Sequence, residues 1–331
     1  MRHSMKNSID IIIPWVDSED RNWQRKKDIA LEQNGIYTST EMNGTERYQD
    51  YGTLKFVFRS IEVNMPWVNK VILVTDNQQP EWLNNAYDKL QVVDHKEFIH
   101  GKLPTFNSNS IMTNLHHIES LEEHFILFND DLLAWSPMDE KDFFVDGVPV
   151  DSLIESGTVP FVNDFFHVSG NAVALANKNF KKYKVMRTNF LKFFNYKYGI
   201  DLFRTILSLP YKGFVGFQNP HFALGYTKSE FERFERLEKE KLEVTWSHDF
   251  RTLTDLNEWA IRYDRNLRGE FVPGKLNGKY LTLSSFKKEV TIPARTRILV
   301  VNDDGERDKN VLDNVQNFLN AKFPSKSNFE L

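Results

Sequence analysis

The fold class of this chain is indicated first by the stretch Ile9-Asp10-Ile11-Ile12-Ile13-Pro14-Trp15-Val16-Asp17. It is an almost continuous apolar run of strand length, rich in β-branched residues. Three later runs have the same character: Val71–Thr75, Phe125–Phe128 and Ile298–Val301. Continuous apolar runs are typical of strands that are covered on both faces. Because a segment with helical apolar spacing, Gly52–Asn64, follows the first strand, the pattern predicts an α/β fold with a mostly parallel sheet flanked by helices.

Each of the four runs leads directly into aspartate: Asp17, Asp76, Asn129-Asp130-Asp131 and Asn302-Asp303-Asp304. Ligands of open α/β sheets bind beyond the carboxyl ends of the strands, so we expect these carboxylates to gather at one rim. A single aspartate in such a place is commonly a turn or helix-cap residue. Four together repel one another unless a cation or hydrogen bonds compensate. Adjacent carboxylates such as Asp130 and Asp131 suit Mg²⁺ or Mn²⁺, because hard cations prefer oxygen ligands.

Composition excludes several classes of function. The 331 residues carry a formal net charge of −4, so no overall positive field attracts nucleic acid. There is no cysteine, which excludes disulfides, thiolate metal sites and a cysteine nucleophile. No apolar run reaches the roughly 18 residues that a membrane helix needs, and the N-terminal residues do not resemble a signal peptide. We therefore expect a cytoplasmic protein, with peripheral contact to the inner face of the cell membrane as an option.

The segment Asn177–Lys212 differs from the rest of the chain. It contains nine lysines and arginines against one acid, Asp201, with phenylalanines and tyrosines interleaved. Such a segment could dock on anionic lipid or hold an anionic glycan. Equally, it could be a solvated basic helix face above an aromatic core. If it contacts lipid, Lys181, Lys182 and Lys184 are expected to contribute. Further helices are predicted over Thr227–Val244 and Asn310–Phe323, with a loose tail after Pro324.

Four side chains outside the acidic loops are candidates for chemistry. His221, in Gln218-Asn219-Pro220-His221-Phe222, could accept a proton from an attacking hydroxyl. Arg251 could clamp a phosphate, and Arg47 and Arg59 could bind phosphate oxygens. Each also has a structural interpretation, because a lone histidine is more often structural and surface arginines commonly pair with neighbouring acids.

In their order and spacing, these segments resemble the Stealth family. This family includes bacterial capsular and cell-surface polysaccharide sugar-1-phosphate transferases, which are related to the eukaryotic N-acetylglucosamine-1-phosphotransferase. The opening stretch resembles the first family block, although Ser18 stands where many relatives have glycine. The other matching segments are Arg47–Asp50, Arg59–Glu62, Pro66–Val68, Val74–Gln78, Leu103–Ser108, Leu115–Ile118, Phe125–Asp131, Asn219–His221 with Arg251 and Asp255, and Val301–Asp304.

The resemblance implies a Rossmann-like fold related to GT-A glycosyltransferases, with a helical insertion. It treats residues 1–331 as one catalytic domain: a nucleotide-sugar-binding half over 1–135, a helical basic-aromatic insertion over 177–245, and a part that completes the site over 246–324. It also implies a UDP-sugar donor, a glycan acceptor that can be lipid-linked, and Mg²⁺ or Mn²⁺.

The implied reaction transfers a hexose- or N-acetylhexosamine-1-phosphate to an acceptor hydroxyl and releases UMP. By this resemblance, His221, Arg251 and Asp131 are catalytic residues, and Asp130, Asp131 and Asp303 hold the metal ion. Nucleotide-sugar binding falls to Asp17, Asp20, Arg47, Asp50, Arg59, Asn109 and His116. Asp17 and Asp20 are assigned to uridine or ribose, and Asp50, Asn109 and His116 to the sugar. Two alternatives stay open: a metal-dependent GT-A glycosyltransferase that releases UDP, and a glycan-binding module without catalysis.

Overall fold

The computed structural model describes residues 8–36, 48, 50–159 and 166–331. Eleven strands lie in this part of the chain: β1 Ile9–Pro14, β2 Val71–Thr75, β3 Leu90–Asp94, β4 His124–Leu127, β5 Leu132–Ala134, β6 Phe144–Val145, β7 Val148–Asp151, β8 Leu224–Thr227, β9 Val272–Pro273, β10 Gly278–Thr282 and β11 Ile298–Asn302.

Eleven α-helices lie in the same described ranges: α1 Arg21–Gln33, α2 Leu54–Asn64, α3 His95–Phe98, α4 Ser108–Asn114, α5 Phe166–Asn179, α6 Lys182–Thr188, α7 Phe190–Phe193, α8 Leu202–Leu207, α9 Lys228–Trp246, α10 Glu258–Arg268 and α11 Lys309–Lys322. Short 3₁₀ helices cover Leu115–His117, Glu140–Asp142, Tyr196–Asp201 and Leu283–Lys287. None of these described helices is both long and apolar enough to cross a bilayer.

The main sheet has five strands in the order β3-β2-β1-β4-β8. The first four are mutually parallel, and β8 pairs with β4 in the antiparallel sense at the edge. In the centre, Ile12 of β1 lies opposite Ile72 of β2 and Leu127 of β4. The predicted α/β class and mostly parallel sheet are confirmed. Three of the four apolar runs form neighbouring strands of this sheet.

Both faces of the main sheet are covered, as continuous apolar strands require. Ile12, Ile72 and Phe125 point to one face, where they pack in a core with residues of α5, α9 and α10. Ile11, Leu73 and Ile126 point to the other face, where residues of α2 cover them. The side chains alternate because successive residues of a strand point to opposite faces, so one strand serves two hydrophobic cores.

The fourth apolar run forms β11, but it does not belong to the main sheet. It is the centre of a three-stranded sheet, parallel to β10 and antiparallel to β5. The expectation of one common sheet is wrong for this strand. Its acidic end nevertheless reaches the rim, because β5 begins just after Asp131 and the Val301 amide donates to the Asp131 carbonyl at 3.0 Å.

The C-terminal tail is packed against the domain, which corrects the expectation that it is loose. Phe329 is buried with its ring centroid 4.9 Å from that of Phe58. The Leu331 amide donates to the Trp82 carbonyl at 2.8 Å. Segment 177–245 contains α6, α7, α8 and all but the last residue of α9, and it also contributes β8 to the main sheet.

A buried ion network joins the end of β7 to α10. Asp151 accepts from the Arg262 Nε and Nη2 atoms, both at 2.7 Å, and also binds Arg265. Burial alone would raise the pKa of Asp151, but the two guanidinium groups outweigh it and lower this pKa to about 2. Arg262 also donates to the Asn219 side chain at 2.9 Å. The network therefore anchors the loop that carries His221.

Candidate active site

A cleft of about 380 Å³ opens at the carboxyl ends of the central strands. Loops after three distant strands line it: Trp15 and Val16 after β1, Asn129 to Asp131 after β4, and Asn302 and Asp303 after β11. Asp76 after β2, His221 and Arg251 also line the cleft. The structure therefore brings together five of the residues expected from the sequence: Asp130, Asp131, Asp303, His221 and Arg251.

His221 is held directly beside one of the two adjacent carboxylates. Its Nε2 atom lies 3.1 Å from Asp131 Oδ2. Burial would lower the pKa of His221, but the carboxylates of Asp131, Glu258 and Asp130 together raise it. An imidazole next to a carboxylate has a fixed orientation and a stabilised protonated form, which are the properties of a general base.

The cleft has more carboxylate than its own cations neutralise. Partial burial and then repulsion from Asp131 and Asp50 raise the pKa of Asp130 to about 8. The pKa of Asp50 is also raised, first by burial and further by Asp17. Asp131 Oδ1 is buried and accepts no hydrogen bond from the described residues. This arrangement fits a divalent cation, which would remove the repulsion and satisfy the buried oxygen.

The third proposed metal ligand has other contacts. Asp303 accepts from Tyr51 Oη at 2.5 Å, from the Gly305 amide at 2.8 Å, and from Arg307 Nη1 at 3.1 Å. Its oxygens do not form a compact trio with those of Asp130 and Asp131. Mg²⁺ is usually held by one or two carboxylates together with substrate phosphates, so Asp130 and Asp131 suffice for such a site.

Arg251 reaches the cleft from the loop before α10. Its Nε and Nη2 atoms donate to the Ser108 hydroxyl at 2.9 and 2.5 Å. Ser108 is the first residue of α4 and also lines the cleft. Phe250, next in sequence, stacks on Phe106 with the ring centroids 5.3 Å apart. These contacts fix a cation in the lining of the cleft, where it can meet an anionic ligand.

The sequence did not reveal the aromatic wall of the cleft. Trp15, Trp23, Tyr48 and Phe106 all line it. The Trp23 ring lies 5.2 Å from that of Tyr48 and 5.3 Å from that of Phe106, and Trp15 Nε1 donates to Asp50 at 3.2 Å. In a chain with 27 phenylalanines, 11 tyrosines and 7 tryptophans, composition cannot separate a wall from a core. Only their position relative to the acidic strand ends could have indicated them.

Asp76, which was expected at this rim, and His95 both line the cleft, although the sequence assigned neither a role in binding or catalysis. Asp76 directly follows β2 and accepts from Lys26 Nζ at 2.6 Å. His95 is the first residue of α3, and its Nδ1 atom is buried without a hydrogen-bond partner in the described chain. Burial lowers the pKa of His95 to about 4, against the opposing charges of Asp76 and Asp94. It therefore lines the cleft as a neutral imidazole.

Two acidic residues near the first strand have backbone contacts. Asp20 is the N-cap of α1, and its carboxylate accepts from the Asn22 and Trp23 amides at 2.7 and 2.9 Å. This contact accounts for Asp20 as a helix cap. Asp17 accepts from the Glu19 amide at 2.8 Å, and its own backbone binds the Gln78 side chain. Neither lines the cleft, although Asp17 influences Asp50 through its charge.

Three other expected donor-binding residues lie away from the cleft. Arg59 is buried and binds both oxygens of Glu330, at 2.8 and 2.7 Å, so it fastens the C-terminal tail. Asn109 donates to the buried Asp255 at 3.1 Å. His116 is buried and lies 2.7 Å from Glu235. Each of these side chains thus has a partner within the protein, although Nδ1 of His116 is buried without a hydrogen-bond partner in the described chain. Arg47, the remaining predicted residue, lies outside the described residues.

His116 belongs to a trio with His117 and Glu235, whose ligand atoms lie within 4.8 Å of one another. Within the described part of the chain, no other group of three histidine, aspartate or glutamate side chains brings its ligand atoms this close together. Burial lowers the pKa of His116 to about 4, and burial with the charge of His100 lowers that of His117. Two neutral imidazoles that donate to one carboxylate explain the trio as an internal hydrogen-bonded cluster.

Comparison with known proteins identifies the family of this chain. The model of Stealth protein conserved region 2 matches residues 47–150. Capsular polysaccharide phosphotransferase WcwK of Streptococcus pneumoniae is 35% identical, covering 98% of this chain and 99% of its own. Exopolysaccharide phosphotransferase cps2G of Lactiplantibacillus plantarum is 36% identical, covering 97% and 96%.

A third relative and one solved structure complete the comparison. Receptor polysaccharide phosphotransferase WefC of Streptococcus gordonii is 34% identical over 99% of this chain and 100% of its own. The galactosyltransferase LgtC, solved with donor and acceptor sugar analogs, aligns with a TM-score of 0.42 and 9% identity, covering 96% of this chain and 98% of its own.

Proposed function

The chain belongs to the Stealth family of polysaccharide phosphotransferases, and we propose that it transfers a sugar-1-phosphate from a UDP-sugar to a hydroxyl of a glycan acceptor. The family makes the protein a transferase enzyme, so a binding module without catalysis is set aside. The observation that carries the finer proposal is the cleft, where the under-neutralised carboxylates of Asp130 and Asp131 are neighbours and Asp131 Oδ2 lies 3.1 Å from His221 Nε2. Assembly of capsular or cell-surface polysaccharide in the cytoplasm is the proposed setting.

The donor is proposed to enter the acidic cleft together with a divalent cation. A pyrophosphate would be repelled by these carboxylates alone, so Asp130 and Asp131 would hold Mg²⁺ or Mn²⁺ between protein and phosphates. When bound, the cation supplies neutralisation of the charge on the phosphates and on the leaving nucleotide. Arg251 would bind phosphate oxygens from the other side, and the wall of Trp15 and Tyr48 would pack against the nucleoside.

In the proposed reaction, the bond that forms is matched by one that breaks, and His221 accepts the released proton. The acceptor oxygen attacks the β-phosphorus, the bond from the β-phosphorus to the bridging oxygen breaks, and UMP leaves with that oxygen. If Nε2 of His221 donates to Asp131, Nδ1 carries the lone pair that accepts the hydroxyl proton. Phosphoryl transfer depends on positioning and charge stabilisation more than on covalent catalysis, which agrees with a site made of carboxylates, an arginine and a histidine.

The acceptor is proposed to bind in a second cavity of about 530 Å³ on the other side of the His221 loop. Asn219, Pro220 and Phe222, which flank His221, line this cavity. Its lining also contains Lys275, Lys279 and Arg295, which suit a polyhydroxylated acceptor that carries phosphate. A hydroxyl at the end of such an acceptor would then meet His221 from the side opposite to the donor.

Product analysis tests the proposal. Purified protein is incubated with UDP-hexoses and UDP-N-acetylhexosamines, a native glycan acceptor and Mg²⁺ or Mn²⁺, and the released nucleotide is separated by chromatography. UMP and a phosphodiester in the product are expected. UDP with a plain glycoside would instead support a GT-A glycosyltransferase. Asp131→Ala and His221→Ala should greatly slow the release of UMP, whereas Asp313→Ala, which removes an exposed carboxylate on α11, should not.

A further inference from the structure

The segment Lys181–Lys212 exposes large apolar side chains at unusual density. It contains α6, α7, the 3₁₀ helix Tyr196–Asp201 and α8, and each of these short elements buries part of one side. The opposite sides are apolar and open: Leu191 is 75% exposed, Tyr196 84% and Ile200 90%. Phe190, Phe203 and Leu207 are also exposed by more than half. Soluble proteins rarely present contiguous apolar surface unless it binds something.

Several contacts join these elements into one surface. Tyr183 of α6 donates to the carbonyl of Leu209, beyond α8, at 3.0 Å. Arg204 and Leu207 of α8 line a shallow groove together with Tyr211. We call the outward side of this segment the apolar-basic surface, defined by Leu191, Tyr196, Ile200, Phe203 and Leu207 with the cations described next.

The charge of this surface is positive although the protein as a whole is negative, with a net charge of −4. Lys181, Lys184, Arg187 and Lys212 are exposed, and no ion pair within the described residues neutralises them. Lys182 does not contribute, contrary to the expectation from the sequence. It is buried, and its Nζ atom donates to Glu155 at 2.9 Å and to the Ser208 carbonyl.

We propose that the apolar-basic surface docks on an anionic phospholipid membrane. Exposed aromatic and aliphatic tips can insert at the boundary between headgroups and acyl chains, while nearby cations bind lipid phosphates. Protein interfaces, by contrast, are depleted in lysine at their centre. A symmetric dimer would place this surface against its own copy, so four unpaired cations would face four others. Charge complementarity therefore favours the membrane.

Two contacts connect this surface to the proposed acceptor cavity. Lys275, which lines the cavity, forms an ion pair with Asp201 at the end of the 3₁₀ helix. Lys197 donates to the Pro273 carbonyl at 3.0 Å, next to the cavity residue Gly274. If the proposed function holds, docking would present this cavity to an acceptor carried on lipid. The membrane contact itself does not depend on that function.

Vesicle co-sedimentation in the absence of donor and acceptor tests the proposal separately from the chemistry. Wild-type protein should sediment with phosphatidylcholine vesicles that contain phosphatidylglycerol, and this binding should weaken with added salt. The wild-type protein should remain in the supernatant when the vesicles contain phosphatidylcholine alone. The variant Tyr196→Ser/Ile200→Ser/Phe203→Ser and the variant Lys184→Gln/Arg187→Gln/Lys212→Gln should each bind at least roughly tenfold more weakly.

A matched control removes exposed apolar side chains elsewhere: Val63→Ser/Leu237→Ser/Val244→Ser. Circular dichroism and thermal unfolding verify that all three variants fold. The proposal is overturned if the wild type does not sediment with anionic vesicles, or if the control variant loses as much binding as the surface variants do. It is also overturned if sedimentation velocity shows a dimer that the Tyr196 variant dissociates, because the surface would then bind a second copy.

Discussion

Two groups of carboxylates in this protein are withdrawn from water, and they have opposite electrostatics. Asp151 meets Arg262 and Arg265, and the pKa of Asp151 falls to about 2. Asp130 meets Asp131 and Asp50, and burial together with these charges raises the pKa of Asp130 to about 8. Both groups lose hydration, so the difference lies in the neighbours. The chain itself neutralises the first, and we propose that a bound cation neutralises the second.

This contrast separates stability from function. A carboxylate that is paired with buried arginines stabilises the fold, and removing it leaves uncompensated positive charge. Carboxylates that repel one another cost stability and persist where a ligand compensates them. The two groups are connected, since Arg262 binds Asn219, two residues before His221. The neutral network thus fixes the loop that carries His221, the proposed base.

The largest expected effect is on folding. Asp151→Ala leaves the buried Arg262 and Arg265 without their shared partner, so the free energy of unfolding should fall by about 5 kcal/mol. Urea unfolding monitored by circular dichroism measures this loss. A decrease below about 1 kcal/mol, within the range of ordinary surface substitutions, would show that the network does not stabilise the protein.

The next effect separates the two groups most clearly. Asp131→Ala should lower kcat by about 10³-fold, or about 4 kcal/mol in activation free energy, because the cation and His221 both lose a partner. The same variant should unfold at the same or higher urea concentration, because repulsion with Asp130 is relieved. Initial rates of UMP release and urea unfolding are measured in parallel. A variant that keeps its rate and loses stability would reverse the roles assigned to the two groups.

A smaller effect is expected at Arg251, the cation already in the cleft. Arg251→Lys keeps the charge and loses the forked guanidinium, so kcat/KM for the UDP-sugar should fall about 10- to 100-fold. Arg297→Lys, an exchange of the same kind at a partly exposed arginine paired with Asp142, is the matched control. Steady-state kinetics with varied donor distinguishes them. Equal values of kcat/KM for both variants would show that Arg251 does not bind the donor.

The smallest effect is a pH dependence of stability from His116. Burial, and then the charges of His117 and His100, lower the pKa of this imidazole to about 4. The hydrogen bond to Glu235 and its charge act in the opposite direction but are outweighed. Its stabilising contribution is complete above the ordinary pKa near 6.5 and is lost as the pH falls towards 4, because the unfolded chain binds the proton first.

We expect the stability of the wild type to decrease between pH 7 and pH 5 more steeply than that of His116→Gln. The difference in slope should reach about 1.4 kcal/mol per pH unit. Urea unfolding at several pH values gives both slopes. Parallel slopes would mean that His116 is protonated in the folded protein, as it would be if Glu235 dominated its surroundings.

The central sheet could be predicted because its strands are buried on both faces and are therefore apolar throughout. The strands β1, β2 and β4 show this directly, and the acidic cleft follows from where they end. The parallel partner of β11 could not be predicted, because β10 is the mixed segment Gly278–Thr282, whose pattern resembles a loop. Pairing between such strands depends on tertiary packing and leaves little trace in the local sequence.

Roles of individual charged residues were harder to predict than the position of the site. Arg59 binds Glu330, and the two are separated by 271 positions, so no local pattern indicates the contact. Lys182 lies in a basic run but is neutralised internally by Glu155. Asp20, in contrast, stands directly before a helix, where an N-cap explains it without a ligand. Long-range pairing, which the sequence does not display, decides whether a charge is free for function.

The most direct test of the account is calorimetric titration of UDP into the protein with and without a divalent cation. We predict that UDP binds only weakly in EDTA, and that Mg²⁺ or Mn²⁺ raises its affinity by at least roughly tenfold. Bound UDP should raise the affinity of the protein for the cation by the same factor, because coupling between two ligands is reciprocal. Asp131→Ala should lose this coupling, and Asp313→Ala should keep it. Equal UDP affinity in EDTA and in Mn²⁺ would contradict the proposal that a divalent cation enters the acidic cleft together with the donor.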